Sequence, residues 1–540
     1  MTESTTDPTG LLREAIAAAC ADLHDGIPAA SLERPPRAEL GDYSTNAAML
    51  AAPLVGSPPR EVAERLSAGI AERLGDAVER IEVAGPGFLN LHMSDVWLRD
   101  AARRVVDAGG SFGSGVAGAV RRTNVEFVSA NPTGPLTVAS GRHASYGDSL
   151  ARVLEFAGYP VSREYYLNDA GGQIDLFGLS IAARMNGTEV PEGGYEGDYV
   201  IALAEQIAGE GIDAGDPDAL ARRGVELMIE AIRTTLARIR VGFDTWSSEH
   251  ALHEAGAIEA AIDSLRQAGH VYESDGAVWL RTTDLGDDKD RVLIRSNGTP
   301  TYFAADVAYH RDKLERGAEL MINVLGADHH GYIGRMRAAI VALGAPADAF
   351  EVPIMQLVNL FEGGERARMS KRRGEFARLD ELVDDIGVDA TRFFLLQRSH
   401  DTPIDIDLEL ARSQSNDNPV YYVQYAHARI CSIFRAVAER GSAAGEGGEP
   451  GALEPAERAL IARILEMPDQ VARAAAKREP HAIATYVREI AADFHAFYRD
   501  CRVVGAPPAD EAARLELCGA ARLTIASCLE LLGIKSPEEM

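Results

Sequence analysis

Apolar side chains recur at a spacing near 3.6 over residues 11–23 and again over 61–74, which predicts a helix in each stretch. Residues 81–92 instead alternate between apolar and polar. Gly85-Pro86-Gly87 breaks the alternation, the pattern of strand, turn, strand. Residues 108–118 are rich in Gly, Ala and Ser and read as a linker. A run at 123–129 predicts a buried strand, Val138–Ala157 has helical spacing that closes at Gly158, and 161–167 alternates again. Strand, helix and strand at this spacing form a βαβ crossover and hence a parallel sheet. Residues 319–325 and 352–360 read as later strands of the same sheet, with a helix-rich insertion at about 187–290 that carries a two-strand signal near 272–281. From about residue 400 to 540 the period is helical, apart from the Gly-rich loop 441–451. The chain thus divides into an N-terminal α+β part (1–110), an α/β part with an insertion (120–390) and an all-helical part (400–540).

A length of 540 residues suits three or four domains. The 82 acidic side chains outnumber 54 basic ones, for a net charge of −28. That excludes a histone-like coat protein and a polybasic membrane-surface protein. It leaves room for an enzyme that meets nucleic acid through a local basic patch, because phosphate contacts are local. No apolar run reaches the ~18 residues of a membrane span. The first residues lack a basic, apolar secretory pattern. Cys20, Cys431, Cys501, Cys518 and Cys528 form no C-x-x-C pair, so no zinc site is expected. They read as reduced, buried thiols of a cytoplasmic protein.

Three segments carry candidate chemistry. In Val125-Glu-Phe-Val-Ser-Ala-Asn-Pro-Thr-Gly-Pro-Leu-Thr a strand ends, a tight loop follows, and a helix opens near Thr137. A helix N-terminus at the carboxyl end of a parallel strand offers free N–H groups and positive dipole to a phosphate or carboxylate. An ordinary loop capped by Thr137 has the same pattern. Arg366, Arg368, Lys371, Arg372 and Arg373 form the densest basic run, flanked by Gly363, Gly364 and Gly374. Such a segment suits closure over a polyphosphate, or else a solvated turn or an RNA-phosphate contact. Tyr302 and Asp306 share a helix face, and a carboxylate in a cleft needs a cation such as a guanidinium, from a ligand or an internal arginine. Gly326-Ala-Asp-His-His-Gly-Tyr follows a strand and opens a helix, a place for a nucleotide; adjacent His329 and His330 diverge and make a poor metal pair.

Together these pieces resemble the arginyl-tRNA synthetases, a family of class I aminoacyl-tRNA synthetases. Asn131-Pro-Thr-Gly-Pro resembles the approach to the first class I signature, and Arg368-Met-Ser-Lys-Arg372 the second, K-M-S-K-S. Gly41-Asp-Tyr-Ser-Thr-Asn-Ala-Ala, Gly85-Pro-Gly-Phe-Leu-Asn, Tyr165-Tyr-Leu-Asn-Asp-Ala-Gly, Asp287-Asp-Lys-Asp-Arg and Ser415-Asn-Asp-Asn-Pro-Val-Tyr-Tyr-Val-Gln-Tyr-Ala-His-Ala-Arg resemble segments peculiar to the arginine enzymes. The resemblance spans essentially the whole chain. It implies an N-terminal domain that contacts the tRNA elbow, a Rossmann-like catalytic domain and a helical anticodon-binding bundle. It implies ligation of arginine to tRNA(Arg) through arginyl-adenylate, with ATP and its Mg²⁺, acylation of the 2′-hydroxyl, and activation only with tRNA bound. A monomer is implied, with no membrane or DNA partner.

Residue by residue, Ser129 and Asn131 match positions that bind the backbone end of arginine, and Glu126 matches an acid beside them. Tyr302 and Asp306 match the pair that takes the guanidinium, with Glu249 a weaker match to a second acid. Lys371 matches the lysine that stabilises phosphates, followed by Arg372. Pro132, Gly134, Gly141, Gly326, Asp328 and Met369 fall in the nucleotide region, and Tyr421, Gln424 and Tyr425 fall where anticodon contacts are expected. The first signature departs from the family. Its H-x-G-H positions are Thr137-Val-Ala-Ser140 here, with both histidines absent. Hydroxyls donate hydrogen bonds but carry no positive charge, which takes ~2–4 kcal/mol from transition-state stabilisation. The expected enzyme works with Thr137, Ser140, the helix N-terminus and Lys371. The alternative is a weak or inactive paralogue that still binds tRNA.

Overall fold

The computed structural model describes residues 7–327, 331–366, 377–441 and 448–540. Five parallel strands form the central sheet, in the spatial order Thr245–Ser248, Val161–Leu167, Thr123–Glu126, Leu320–Asn323, Phe350–Glu351. In chain order this is 3-2-1-4-5, the arrangement of a Rossmann-like half. The direction of winding reverses between Thr123–Glu126 and Leu320–Asn323, so a crevice opens beyond Glu126 and Asn323. Both strands are buried along their whole length, as a sheet covered on two faces requires.

Two sequence expectations change. Residues 352–360 do not extend the sheet. Pro353 has no N–H to give to a ladder, and the chain breaks there. Ile354–Met355 instead pairs with Leu325–Gly326, and Val358–Glu362 runs parallel to Ile404–Asp407 in a separate small sheet. Thr245–Ser248, inside the stretch read as an insertion, is the edge strand of the main sheet. Helices Asp198–Gly209 and Pro217–Arg238 precede it. After it comes a three-stranded antiparallel sheet whose hairpin, Val271–Ser274 to Ala277–Leu280, turns at Asp275 and Gly276, both with positive φ.

The N-terminal part packs helices Pro8–Ala21, Ala47–Val55 and Pro59–Leu74 on an antiparallel sheet. Its central hairpin, Val78–Ala84 to Phe88–Met93, buries Leu89, Leu91 and Met93. The C-terminal part is a bundle of Pro419–Arg440, Pro455–Ile464, Met467–Lys477, His481–Asp500 and Pro508–Leu531. Arg458 joins the two, donating to Met93 O and Asp42 (2.7 Å each). All five cysteines are free and buried, where desolvation holds the thiols of Cys518 and Cys528 well above their ordinary range. Among the described residues no helix is long and apolar enough to cross a membrane.

Arg392 ties the bundle to the α/β part. Its wholly buried guanidinium donates to Asp148 Oδ2 (2.6 Å), Leu532 O (2.8 Å) and Ile239 O (2.8 Å). Gly533 leaves it room: a Cβ there would sit 2.3 Å from Arg392 Cζ. One side chain thus holds the signature helix Val138–Ala157, the end of the long helix Pro217–Arg238 and the C-terminal tail.

Candidate active site

The first strand ends at Glu126, and the chain then turns abruptly. Val128 and Ser129 have φ of 68° and 39°, in the left-handed region that β-branched residues avoid. Ser129 N donates to Phe127 O (3.0 Å), closing a γ-turn on Val128. Backbone strain of this kind persists only where the surroundings over-determine it, and it clusters at functional sites. Here it aims Ser129 Oγ at Glu126 Oε1 (3.2 Å), while the same oxygen accepts from Tyr166 N (3.1 Å). Asn131 is exposed beside them. Its amide donates to Gln173 Oε1 (2.7 Å) and its oxygen accepts from Asn168 Nδ2 (2.8 Å). Pro132 is buried, and Gly134 lies against the Tyr199 hydroxyl, which donates to Thr133 O.

Beyond this loop Thr137 caps the helix Val138–Ala157, accepting from Ser140 N (3.3 Å), and the two hydroxyls lie 3.2 Å apart. The helix start is sewn to the segment that follows the basic run: Val138 N donates to Ala377 O (3.0 Å) and Leu379 N to Leu136 O (2.9 Å). Gly141 stands in the first turn of this helix. It is buried, and a Cβ there would approach Leu379 Cδ1 to 2.5 Å, so close packing demands the glycine. Arg142, next along, is also buried. Its guanidinium donates to the carbonyls of Gln356, Ser399 and Thr402 (2.6–2.8 Å), and burial pushes it down to about 10.

Across the crevice runs the helix Tyr302–Glu315, capped by Thr301. Tyr302, Asp306, Tyr309 and Lys313 recur at i, i+4, i+7 and i+11 and so share one face. Tyr302 is 72% exposed at the mouth. The Asp306 carboxylate makes no hydrogen bond or ion pair with a described residue, so neither alternative read from the sequence, an internal arginine or a helix cap, applies among them. Desolvation, then Glu126, then Glu249 push its carboxyl up to about 8, with Arg335 opposing from a distance. Glu249 is buried at the first turn of Glu249–Glu254, and desolvation raises it too, offset in part by His253 (3.8 Å). The hydroxyls of Tyr166 and Tyr332 border the same acids and are raised by burial and by that charge. Three mutually repelling carboxylates, with Asp306 in no ion pair among the described residues, make a set suited to a cationic ligand. The planar guanidinium, with five N–H donors, fits such a set.

Gly326 closes the short strand Leu325–Gly326 near the end of the fourth sheet strand. Asp328, Met369, Lys371 and Arg372 lie outside the described residues. In the bundle Tyr421 and Tyr425 are half-buried and stacked, with ring centroids 6.0 Å apart and planes within 9°. Gln424, between them in the chain, is buried, and its amide donates to Asp389 Oδ2 (3.0 Å) and Lys535 O (2.8 Å), pinning the C-terminal tail. The structure adds neighbours that the sequence reading missed. Arg429 lies over the rings of both Tyr425 and Tyr498, at 5.1 and 5.2 Å, and His495 stacks on Tyr425. Only Arg429 was legible in advance, as the i+4 neighbour of Tyr425. At the crevice the missed groups are Lys313, Asn323, Tyr166 and Tyr332.

Three family models match the chain: the arginyl tRNA synthetase N terminal domain at 10–93, the catalytic domain of class I (R) tRNA synthetases at 197–408, and the DALR anticodon binding domain at 423–540. The arginine–tRNA ligase of Frankia alni is 47% identical over 545 residues, covering 97% of each chain. The chain belongs to the arginyl-tRNA synthetase family. The arginine–tRNA ligase of Heliobacterium modesticaldum is 45% identical over 533 residues, covering 95% of this synthetase and 94% of its own length. The crystallised arginyl-tRNA synthetase of Thermus thermophilus superposes with a TM-score of 0.76 at 25% identity, over 98% of this chain and 99% of that one. The synthetase is therefore an enzyme of the aminoacyl-tRNA ligase class, with a class I catalytic domain and an anticodon-binding domain.

Proposed function

We propose that the acid-lined crevice is where this synthetase reads arginine, in the ATP-dependent ligation of arginine to tRNA. The reaction forms arginyl-adenylate and pyrophosphate, then transfers arginine to tRNA(Arg) with release of AMP. The observation that supports the reading is the Asp306 carboxylate, held beside Glu126 and Glu249 and, among the described residues, in no ion pair. Asp306 and Glu249 take the guanidinium, and Tyr302 covers it at the mouth. Ser129, Asn131 and Glu126 take the backbone end. Glu126 accepts from Ser129, and its carboxylate is the anion that meets the α-ammonium in this reading.

ATP lies over the loop at Pro132 and Gly134 and the strand end at Gly326, with Asp328 and Met369 at the nucleoside. The N-terminus of the 20-residue helix Val138–Ala157 faces its phosphates. Thr137 and Ser140 donate hydrogen bonds there, and Lys371 with Arg372 supplies the positive charge that the hydroxyls lack. Mg²⁺ enters with the nucleotide as part of the substrate. Tyr421 and Tyr425 stack on unpaired anticodon bases. The protein works in the cytoplasm as a monomer, without membrane or DNA partners, acylates the 2′-hydroxyl, and activates arginine only with tRNA bound. No finding favours a non-catalytic paralogue.

The test is arginylation of total tRNA with ATP and Mg²⁺, beside pyrophosphate exchange with and without tRNA. Charging with arginine, and exchange only when tRNA is present, is the expected result. Retained tRNA binding without charging overturns the reading of Thr137 and Ser140. In the same assay Lys371→Ala lowers the activation rate with little change in arginine KM.

A further inference from the structure

Beneath the crevice lies a lysine that the reading above does not use. The Lys313 side chain is wholly inaccessible. Lysine is almost never buried unless it is paired, because the desolvation of its ammonium is costly. Here Nζ lies 2.5 Å from Glu126 Oε2, 3.2 Å from Asn323 Oδ1 and 4.5 Å from the centre of the Tyr309 ring. The pair sits at the switch point of the sheet, joining the end of the first strand to the helix that bears Asp306. Lys313 holds one oxygen of Glu126, and Ser129 Oγ donates to the other. The carboxylate is thus fixed at both ends of its O–C–O fork.

The network continues toward the guanidinium end. Asn323 Nδ2 lies 3.1 Å from His310 Nε2, and His310 Nδ1 lies 2.8 Å from Asp306 O. Burial, with Lys313 adding to it, pushes His310 down to about 3, so its ring is neutral. Asn323 donates to Nε2 and Nδ1–H donates to the Asp306 carbonyl, which uses every polar atom of the ring. Glu126 and the helical turn that carries Asp306 are therefore connected by hydrogen bonds through Lys313, Asn323 and His310.

We propose that Lys313 is a positioning residue for amino-acid recognition: through Glu126 it sets where the α-ammonium of arginine is held relative to the guanidinium acids. It touches no substrate. This rests on the assignment of Glu126 to the backbone end and Asp306 to the guanidinium.

The experiment compares arginine with 5-guanidinopentanoate, which is arginine without its α-amino group, in Lys313→Met and Glu126→Gln. Arginine is read by KM and kcat in tRNA charging, and the analogue by its inhibition constant against arginine. A charge-assisted hydrogen bond is at stake, so K313M raises the arginine KM about tenfold or more. The analogue constant and the ATP KM change less than about twofold, because neither ligand offers Glu126 a cation. Equal weakening of arginine and analogue overturns the proposal, as a purely structural role predicts that result. An unchanged arginine KM in K313M overturns it as well. An unchanged arginine KM in E126Q sinks the assignment of Glu126 itself, a separate failure. Should K313M not fold, the pair variant K313M/E126Q removes both buried charges together, a change proteins often tolerate. Its arginine KM then equals that of E126Q alone, and a further large loss overturns the proposal.

Discussion

The raised carboxyl of Asp306 makes arginine recognition depend on pH in the neutral range, well above the acid range usual for a carboxylate. With the group at about 8 in the empty crevice, only about one molecule in ten carries the charge at pH 7, and about one in a hundred at pH 6. The guanidinium needs the charged form, so binding must first expel a proton. The apparent arginine constant scales as one plus the ratio of protonated to ionised Asp306, and it falls about fiftyfold between pH 6 and pH 8. Nearly all of this appears in KM, since the saturated complex has Asp306 ionised already. The assay is tRNA charging at saturating ATP, with arginine varied at each half-unit of pH in this window. Asp306→Asn removes the steep dependence and raises KM throughout. A wild-type KM that stays flat from pH 6 to 8, or an Asn variant that keeps the slope, refutes the reasoning. Stability gives a second readout. The folded-state value lies above the ~3.9 of an unfolded aspartate, so the folded chain binds more protons between about 4 and about 8. This group's contribution is therefore present at low pH and lost as pH rises toward 8. Bound arginine offsets that loss, so its thermal shift grows from pH 6 to pH 8.

Three further perturbations test the frame around the site. Gly141→Ala drives a methyl into Leu379, and overpacking of this kind costs about 1–3 kcal/mol; thermal unfolding should drop and charging should fall, and an unchanged midpoint would refute the packing argument. Arg392→Met leaves Asp148 buried without its closest partner, a loss of about 3–5 kcal/mol, read by urea unfolding; a loss under 1 kcal/mol would show that Arg152 and Arg163 compensate. Tyr425→Ala weakens tRNA binding by about 1–3 kcal/mol and leaves the arginine and ATP constants for activation as they were; a tRNA affinity equal to wild type removes Tyr425 from the interface.

Much of the candidate site was legible because its residues are local in the chain. Glu126, Ser129 and Asn131 stand within one strand-to-loop segment, and Tyr302 and Asp306 are four apart on one helix face. Glu249 read more weakly, since nothing beside it in the chain announces that its strand lies at the edge of the same sheet. Gln424 read as an anticodon contact for a related reason. A glutamine between two tyrosines has the composition of a binding surface, and only the position of Asp389 and Lys535 reveals that its amide faces inward. Gly141 has a packing cause that depends on Leu379, over two hundred residues away.

What the sequence determined by itself was periodicity and local chemistry: the crossover helix, the alternating hairpin, the strand-to-helix loop with its cap, and the motif order that marks the family. Each depends on neighbours within a few residues. The tertiary structure decided which groups share a dielectric environment. Lys313 and Glu126 are 187 residues apart, Asp306 feels charges from three other segments, and Arg392 joins three parts of the chain. No periodicity encodes such meetings. They follow from the strand order 3-2-1-4-5, which brings the ends of the first and fourth strands together under the helix Tyr302–Glu315, so that Glu126 from the first strand, Glu249 from beyond the edge strand and Asp306 from the helix form a single electrostatic unit.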